Sequence, residues 1–188
     1  MEKPTLQELK LEIQLQSKKG IDFLVAASIV WFLIFIIWKL NLTAYNKSVL
    51  TFMVGAILLP LAFGLSKIFK TQWKIKDNPL QPLGLWLNFA QLIYFPFLIF
   101  IFIKYPEYFI MAYAIITGAH LFPYAWFYDE IGYAVSAITI SVGALILALN
   151  VGDKNMFYIP VFTAFIFFIF SIWLFFGNKR LKKNEQNT

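Results

Sequence analysis

The sequence predicts an all-α integral membrane bundle of six transmembrane helices. Three observations predict it. The 188 residues are 60% hydrophobic and 14% charged, against about 45–50% and about 25% in ordinary soluble domains. Six apolar runs each come close to the roughly 20 residues that an α-helix needs to cross hydrocarbon. None of them shows the strict in–out alternation of a membrane β-strand. With a mean hydropathy of +0.70, the chain is neither a soluble enzyme nor a disordered segment.

The runs are Ile21–Trp38, Ser48–Ile68, Leu83–Ile103, Glu107–Tyr128, Ile131–Asn150 and Met156–Phe176. They divide the chain into an N-terminal segment 1–20, a membrane domain 21–176 and a basic tail 177–188. The N-terminal segment is not a cleavable signal. It carries Glu2, Glu8 and Glu12 beside four lysines, and no small-residue cleavage site follows the apolar run. Thr5-Leu6-Gln7-Glu8 fits a capping box, so Thr5–Lys19 is read as a short surface helix. Leu9, Leu11, Ile13 and Leu15 alternate rather than form one helical stripe.

Orientation follows from the basic residues between the runs. Lys3, Lys10, Lys18 and Lys19, then Lys67, Lys70, Lys74 and Lys76, then Lys179, Arg180, Lys182 and Lys183 fall on one side. Lys39, Lys47, Lys104 and Lys154 fall on the other, a split of 12 to 4 that puts both termini in the cytoplasm. The net charge of +6 is dispersed in these gaps, which excludes a nucleic-acid surface as its meaning. The Lys67–Lys76 stretch also suits lipid headgroups. With no cysteine, disulfides, thiolate metal sites and prenyl or palmitoyl anchors are excluded.

Two stretches read alike at an offset of 63. Gly55-Ala56-Ile57-Leu58-Leu59-Pro60-Leu61-Ala62-Phe63 shares five of nine positions with Gly118-Ala119-His120-Leu121-Phe122-Pro123-Tyr124-Ala125-Trp126. This points to a duplication of the first two helical hairpins. In each copy, Gly and Ala permit close approach of a neighbouring helix. Pro60 and Pro123 each remove a helix hydrogen bond and mark a kink.

The copies differ in polarity. Ile57 corresponds to His120, the one histidine of the chain, and Leu61 to Tyr124. Tyr113, Thr117, His120, Tyr124 and Tyr128 recur at steps of four, three, four and four, one stripe of a helix. Asn88, Gln91 and Tyr94 form a stripe on the third span, and Ser136, Thr139 and Gly143 on the fifth. At about 1.5 Å per residue, His120, Gln91 and Thr139 lie roughly 12 Å inside the cytoplasmic ends of their helices. This layer admits two readings. One is a cytoplasm-facing pocket for a small molecule, lined by Asn88, Gln91, Thr117, His120, Tyr124 and Thr139 and walled by Trp31, Trp86 and Trp126. The other is packing, with side chains hydrogen-bonding across helices.

Function therefore divides three ways. The first reading is binding or transport of a small molecule through that pocket. The second is a structural or regulatory membrane subunit acting through helix–helix contacts, self-association included. The third is a membrane-embedded hydrolase, for which His120 would need a Thr or Tyr hydroxyl in reach. No catalytic set, metal cluster or phosphate loop is visible, and no cofactor is implied. The expected surroundings are the lipid bilayer. Asp129-Glu130, in the turn after the fourth span, read as solvated loop acids, with pairing to loop lysines or gating of a cytoplasmic mouth the alternatives. Asp22 is placed at the interface near Lys18 and Lys19.

The stretch Asp77-Asn78-Pro79-Leu80-Gln81-Pro82-Leu83-Gly84 is followed by Asn88 and Gln91. Pro106-Glu107 is followed by Met111, Tyr113, Ala114 and the run from Gly118 to Tyr128. Together these resemble a bacterial family of small multi-pass membrane proteins catalogued as domain of unknown function 7010. The resemblance covers nearly the whole chain, and GAHLFPYAW is its most specific part. It implies a membrane protein of bacterial source and no activity, cofactor or site residue. The acidic pair falls where that pattern leads one to expect a basic or polar turn.

Overall fold

The computed structural model describes residues 4–185, with side chains as far as Lys182. Glu2, Lys3 and the side chain of Lys183, counted above, lie outside the described residues. The chain is 83% helical, and no strand occurs among the described residues. Helix α1 is Leu6–Ser17 and α2 is Ile21–Lys39. The second span is two helices, α3 Ala44–Gly55 and α4 Leu58–Phe69, and the third is α5 Gln81–Leu92 and α6 Phe95–Lys104. Helices α7 Phe109–Phe127, α8 Gly132–Asn150 and α9 Tyr158–Glu185 complete the chain. Six stretches are long and apolar enough to cross a membrane.

The capping box at Thr5 is formed. Glu8 N–H donates to Thr5 Oγ1 at 3.3 Å and Thr5 N–H donates to Glu8 Oε2 at 2.7 Å. Helix α1 buries Lys10, Ile13 and Gln14, which explains why its leucines form no stripe: polar contacts hold it as much as apolar ones do.

The break in the second span falls at Ala56-Ile57, just before Pro60. The third span breaks in the same way at Ile93-Tyr94. Pro96 stands at the start of α6, and without an N–H it cannot continue the ladder of α5. Pro123, by contrast, lies inside α7 without interrupting it.

The bundle is a row of four long helices. Helix α2 packs on α9, α9 on α8 and α8 on α7. The second span leans on α2 and the third on α7. The α7–α8 contact is the tightest, and Gly118 is the reason. A Cβ there would sit 2.6 Å from Ser141 Oγ, 3.0 Å from Ile140 Cγ2 and 3.1 Å from the Ala137 carbonyl oxygen. The third span is peripheral, with Leu98 its one buried side chain.

Between α1 and α2 the chain turns through three consecutive left-handed residues. Lys18 has φ 47°, Lys19 φ 54° and Gly20 φ 70°. The two lysines cost strain here, and several bonds hold them. Lys18 Nζ donates to the Phe69 carbonyl. Asn178 Nδ2 donates to the Lys18 carbonyl at 2.8 Å, and the Tyr133 hydroxyl to the Lys19 carbonyl at 2.5 Å. Only glycine serves at position 20, where a Cβ would also crowd the Tyr133 and Tyr128 hydroxyls at 3.2 and 3.3 Å.

Candidate functional site

Two polar clusters emerge, one inside the span and one at the lysine-rich end. The first lies on the seam between α5 and α7. The Tyr124 hydroxyl donates to the Gly84 carbonyl at 3.2 Å, and Asn88 Nδ2 donates to the same oxygen at 3.0 Å. The His120 ring meets Tyr124 edge-on, with centroids 5.3 Å apart. The seam thus brings together His120, Tyr124 and Asn88. Tyr124 is buried, His120 half-buried and Asn88 exposed.

His120 makes no hydrogen bond to any described residue. The nearby hydroxyls are committed elsewhere, since Thr117 Oγ1 donates to the Tyr113 carbonyl at 2.8 Å and Tyr124 to Gly84. No hydroxyl pairs with the imidazole as a nucleophile would with its base. Gln91 is half-buried, one turn beyond Asn88. Thr139 belongs to a different place. It lines a lateral groove between α8 and α9 with Ser136, Ile166 and Phe170. The tryptophans are dispersed too. Trp31 is buried against Tyr113, Trp86 is exposed, and Trp126 carries Lys10 Nζ 4.8 Å above its ring.

From His120 an aromatic ladder leads to the second cluster. Tyr124 stacks on Tyr128 at 5.7 Å, Tyr128 lies 5.5 Å from Tyr133, and Tyr133 bonds to the Lys19 carbonyl. Lys19 Nζ meets Glu130 Oε2 at 2.9 Å, with both side chains about one-tenth exposed. Trp173 Nε1 donates to the other Glu130 oxygen at 3.1 Å. Burial pushes the Glu130 carboxyl up, but the Lys19 ammonium, the Trp173 indole and the Gly132 N–H outweigh it and hold it below the usual carboxylate range. The expectation of two solvated acids therefore fits Asp129, which is exposed opposite Lys10 at 3.7 Å, and not Glu130.

Asp22 is buried at the same end. Its Oδ2 accepts from Thr71 Oγ1 and Trp73 Nε1, both at 2.7 Å. Asn78 Nδ2 reaches the Leu9 carbonyl at 2.9 Å and Glu12 Oε2 at 2.8 Å. The N-terminal segment, the loop after α4, the turn after α7 and the start of the basic tail are thus joined at one end of the bundle. Spacing gave no sign of this network, because its partners on different elements stand 43 to 160 positions apart.

Among the described residues no three His, Asp or Glu side chains gather to hold a metal ion. A family model described as a family of unknown function, DUF7010, matches residues 6–177. The chain belongs to this family. The matched region takes in the His120 seam, the left-handed turn, the Lys19–Glu130 pair, five whole spans and most of the sixth, while Asn178, Lys179 and Lys182 lie beyond it. No curated protein and no solved structure matches the chain.

Proposed function

We propose that this protein sits in the bacterial cell membrane with both termini in the cytoplasm and binds a small molecule at the His120 seam, as a binding or transport protein. One observation carries the reading. His120 is an intramembrane imidazole that no described residue hydrogen-bonds. An unpaired polar group in hydrocarbon is costly. Residues that act as glue in this bundle do have partners: Ser28 donates to the Ala164 carbonyl and Ser141 to the Ile115 carbonyl, each at 3.2 Å across a helix pair. His120 has no such bond and stands beside the Tyr124 ring, so its imidazole is available to a ligand.

The absence of cysteine makes the test clean. His120→Cys is treated in membranes with a small, charged thiol reagent applied from the lysine-rich side. Labelling is the expected result, and a thiol that stays unreacted there argues against a water-reachable site.

A second reading has its own support. The third span buries only Leu98, leaving a face that suits a second copy or another subunit. Crosslinking through a single cysteine at Phe97 would report a copy-to-copy contact, and an uncrosslinked monomer would remove it.

A further inference from the structure

We infer that the protein holds an anionic phospholipid in the groove between α2 and α9, with an acyl chain along the groove and the phosphate among Lys18, Lys70, Lys179 and Lys182. The groove encloses about 560 Å³. Val25 and Ile29 line one wall, Phe168 and Ile172 the other, and Phe69 and Phe176 stand at the lysine-rich end. Ile29, Phe168, Ile172 and Phe176 are exposed, so the groove opens sideways onto the lipid-facing surface. It runs roughly 12 Å along both helices, and its lining is almost wholly apolar. A polar solute gains nothing there, whereas a hydrocarbon chain fits.

Charge at the mouth supplies the rest. Lys18 binds the carbonyl of Phe69, a lining residue, and Lys70 follows Phe69 directly. Lys179 Nζ lies 4.3 Å over the ring of Phe175, another lining residue. The Lys18 ammonium feels the like charges of Lys182 and Lys70. Among the described residues none of these four lysines has a carboxylate within ion-pair reach, and the two ion pairs present use Lys10 and Lys19. Like charges with no ion-pair partner among the described residues favour an anion, and a phosphate tied to an acyl chain satisfies lysines and groove at once. This site is separate from the His120 seam and does not rest on it.

Native mass spectrometry of the detergent-purified protein tests the proposal, with phosphatidylglycerol or phosphatidylcholine of equal chain length added back. The wild type should retain phosphatidylglycerol in preference to phosphatidylcholine. The preference should fall roughly fivefold for each lysine removed in Lys70→Asn and Lys182→Gln. Ile29→Trp, which fills the groove from α2, should weaken retention of both lipids, and Ile172→Trp should do so from the opposite wall if the first variant does not fold. Excess inorganic phosphate should leave the lipid bound. Equal retention of the two lipids, a preference indifferent to the lysines, an unaffected lipid in the filled groove, or displacement by phosphate would each overturn it.

Discussion

Lys19 and Glu130, 111 positions apart, form a 2.9 Å ion pair in which both side chains are about one-tenth exposed. The pair ties the left-handed turn before α2 to the turn between α7 and α8. Removing one member strands the other in a largely dry site. Lys19→Met should destabilise the protein by about 3 kcal/mol, read as a lower melting temperature in detergent. The double variant Lys19→Met/Glu130→Leu should recover much of the loss, because no charge is left unpaired.

The same pair sets an acid response. A carboxyl held below its unfolded value of about 4.3 adds stability at higher pH and loses it as pH falls through its folded value. Wild type should therefore be more stable than Glu130→Gln near neutrality. The gap between their melting temperatures should narrow between about pH 5 and about pH 3. A gap constant across that range would show that the carboxylate charge is not what Lys19 reads.

Asp22 takes two donors on one oxygen, and one of them can be removed almost alone. Trp73→Phe keeps an aromatic ring against Phe23, whose centroid lies 4.8 Å from that of Trp73, but loses the indole N–H. A bond to a charged acceptor is worth roughly 1.5–3 kcal/mol, so a loss near the lower figure is expected in a thermal melt.

Two glycines should respond in opposite directions. At Gly118 a Cβ would lie 3.1 Å from the Ala137 carbonyl oxygen, a backbone atom that cannot rotate away. Gly118→Ala should cost about 1–3 kcal/mol through overpacking. At Gly64, inside α4, a Cβ meets nothing within 4 Å. Gly64→Ala should raise stability by about 0.5–1 kcal/mol through helix propensity.

These residues also mark what the sequence could reveal. The helical spans were legible because a hydrocarbon core demands apolar runs of fixed length, and the Thr5 cap because its spacing is local. Pro96 marks the break in the third span as Pro60 marks that in the second, but it stands outside the repeated motif. His120, Tyr124 and Asn88 share a seam because helical steps and depth both constrain them. Depth alone placed Thr139, and a stripe does not say which neighbour it faces; α9 takes it. Glu130 and Asp22 were illegible as buried groups, since their partners come from distant turns. Nor does anything local announce left-handed Lys18 and Lys19, which tertiary bonds hold in place.

In the proposed function, His120 faces a ligand rather than gluing helices. The most direct test is the melting temperature of His120→Ile against wild type in detergent, because Ile57 occupies the corresponding place in the second span. An imidazole without a protein partner contributes little, so an unchanged or higher melting temperature is predicted. A fall of more than about 3 °C, roughly 1 kcal/mol for a chain of this size, would mean that His120 is bonded structure and would contradict the account.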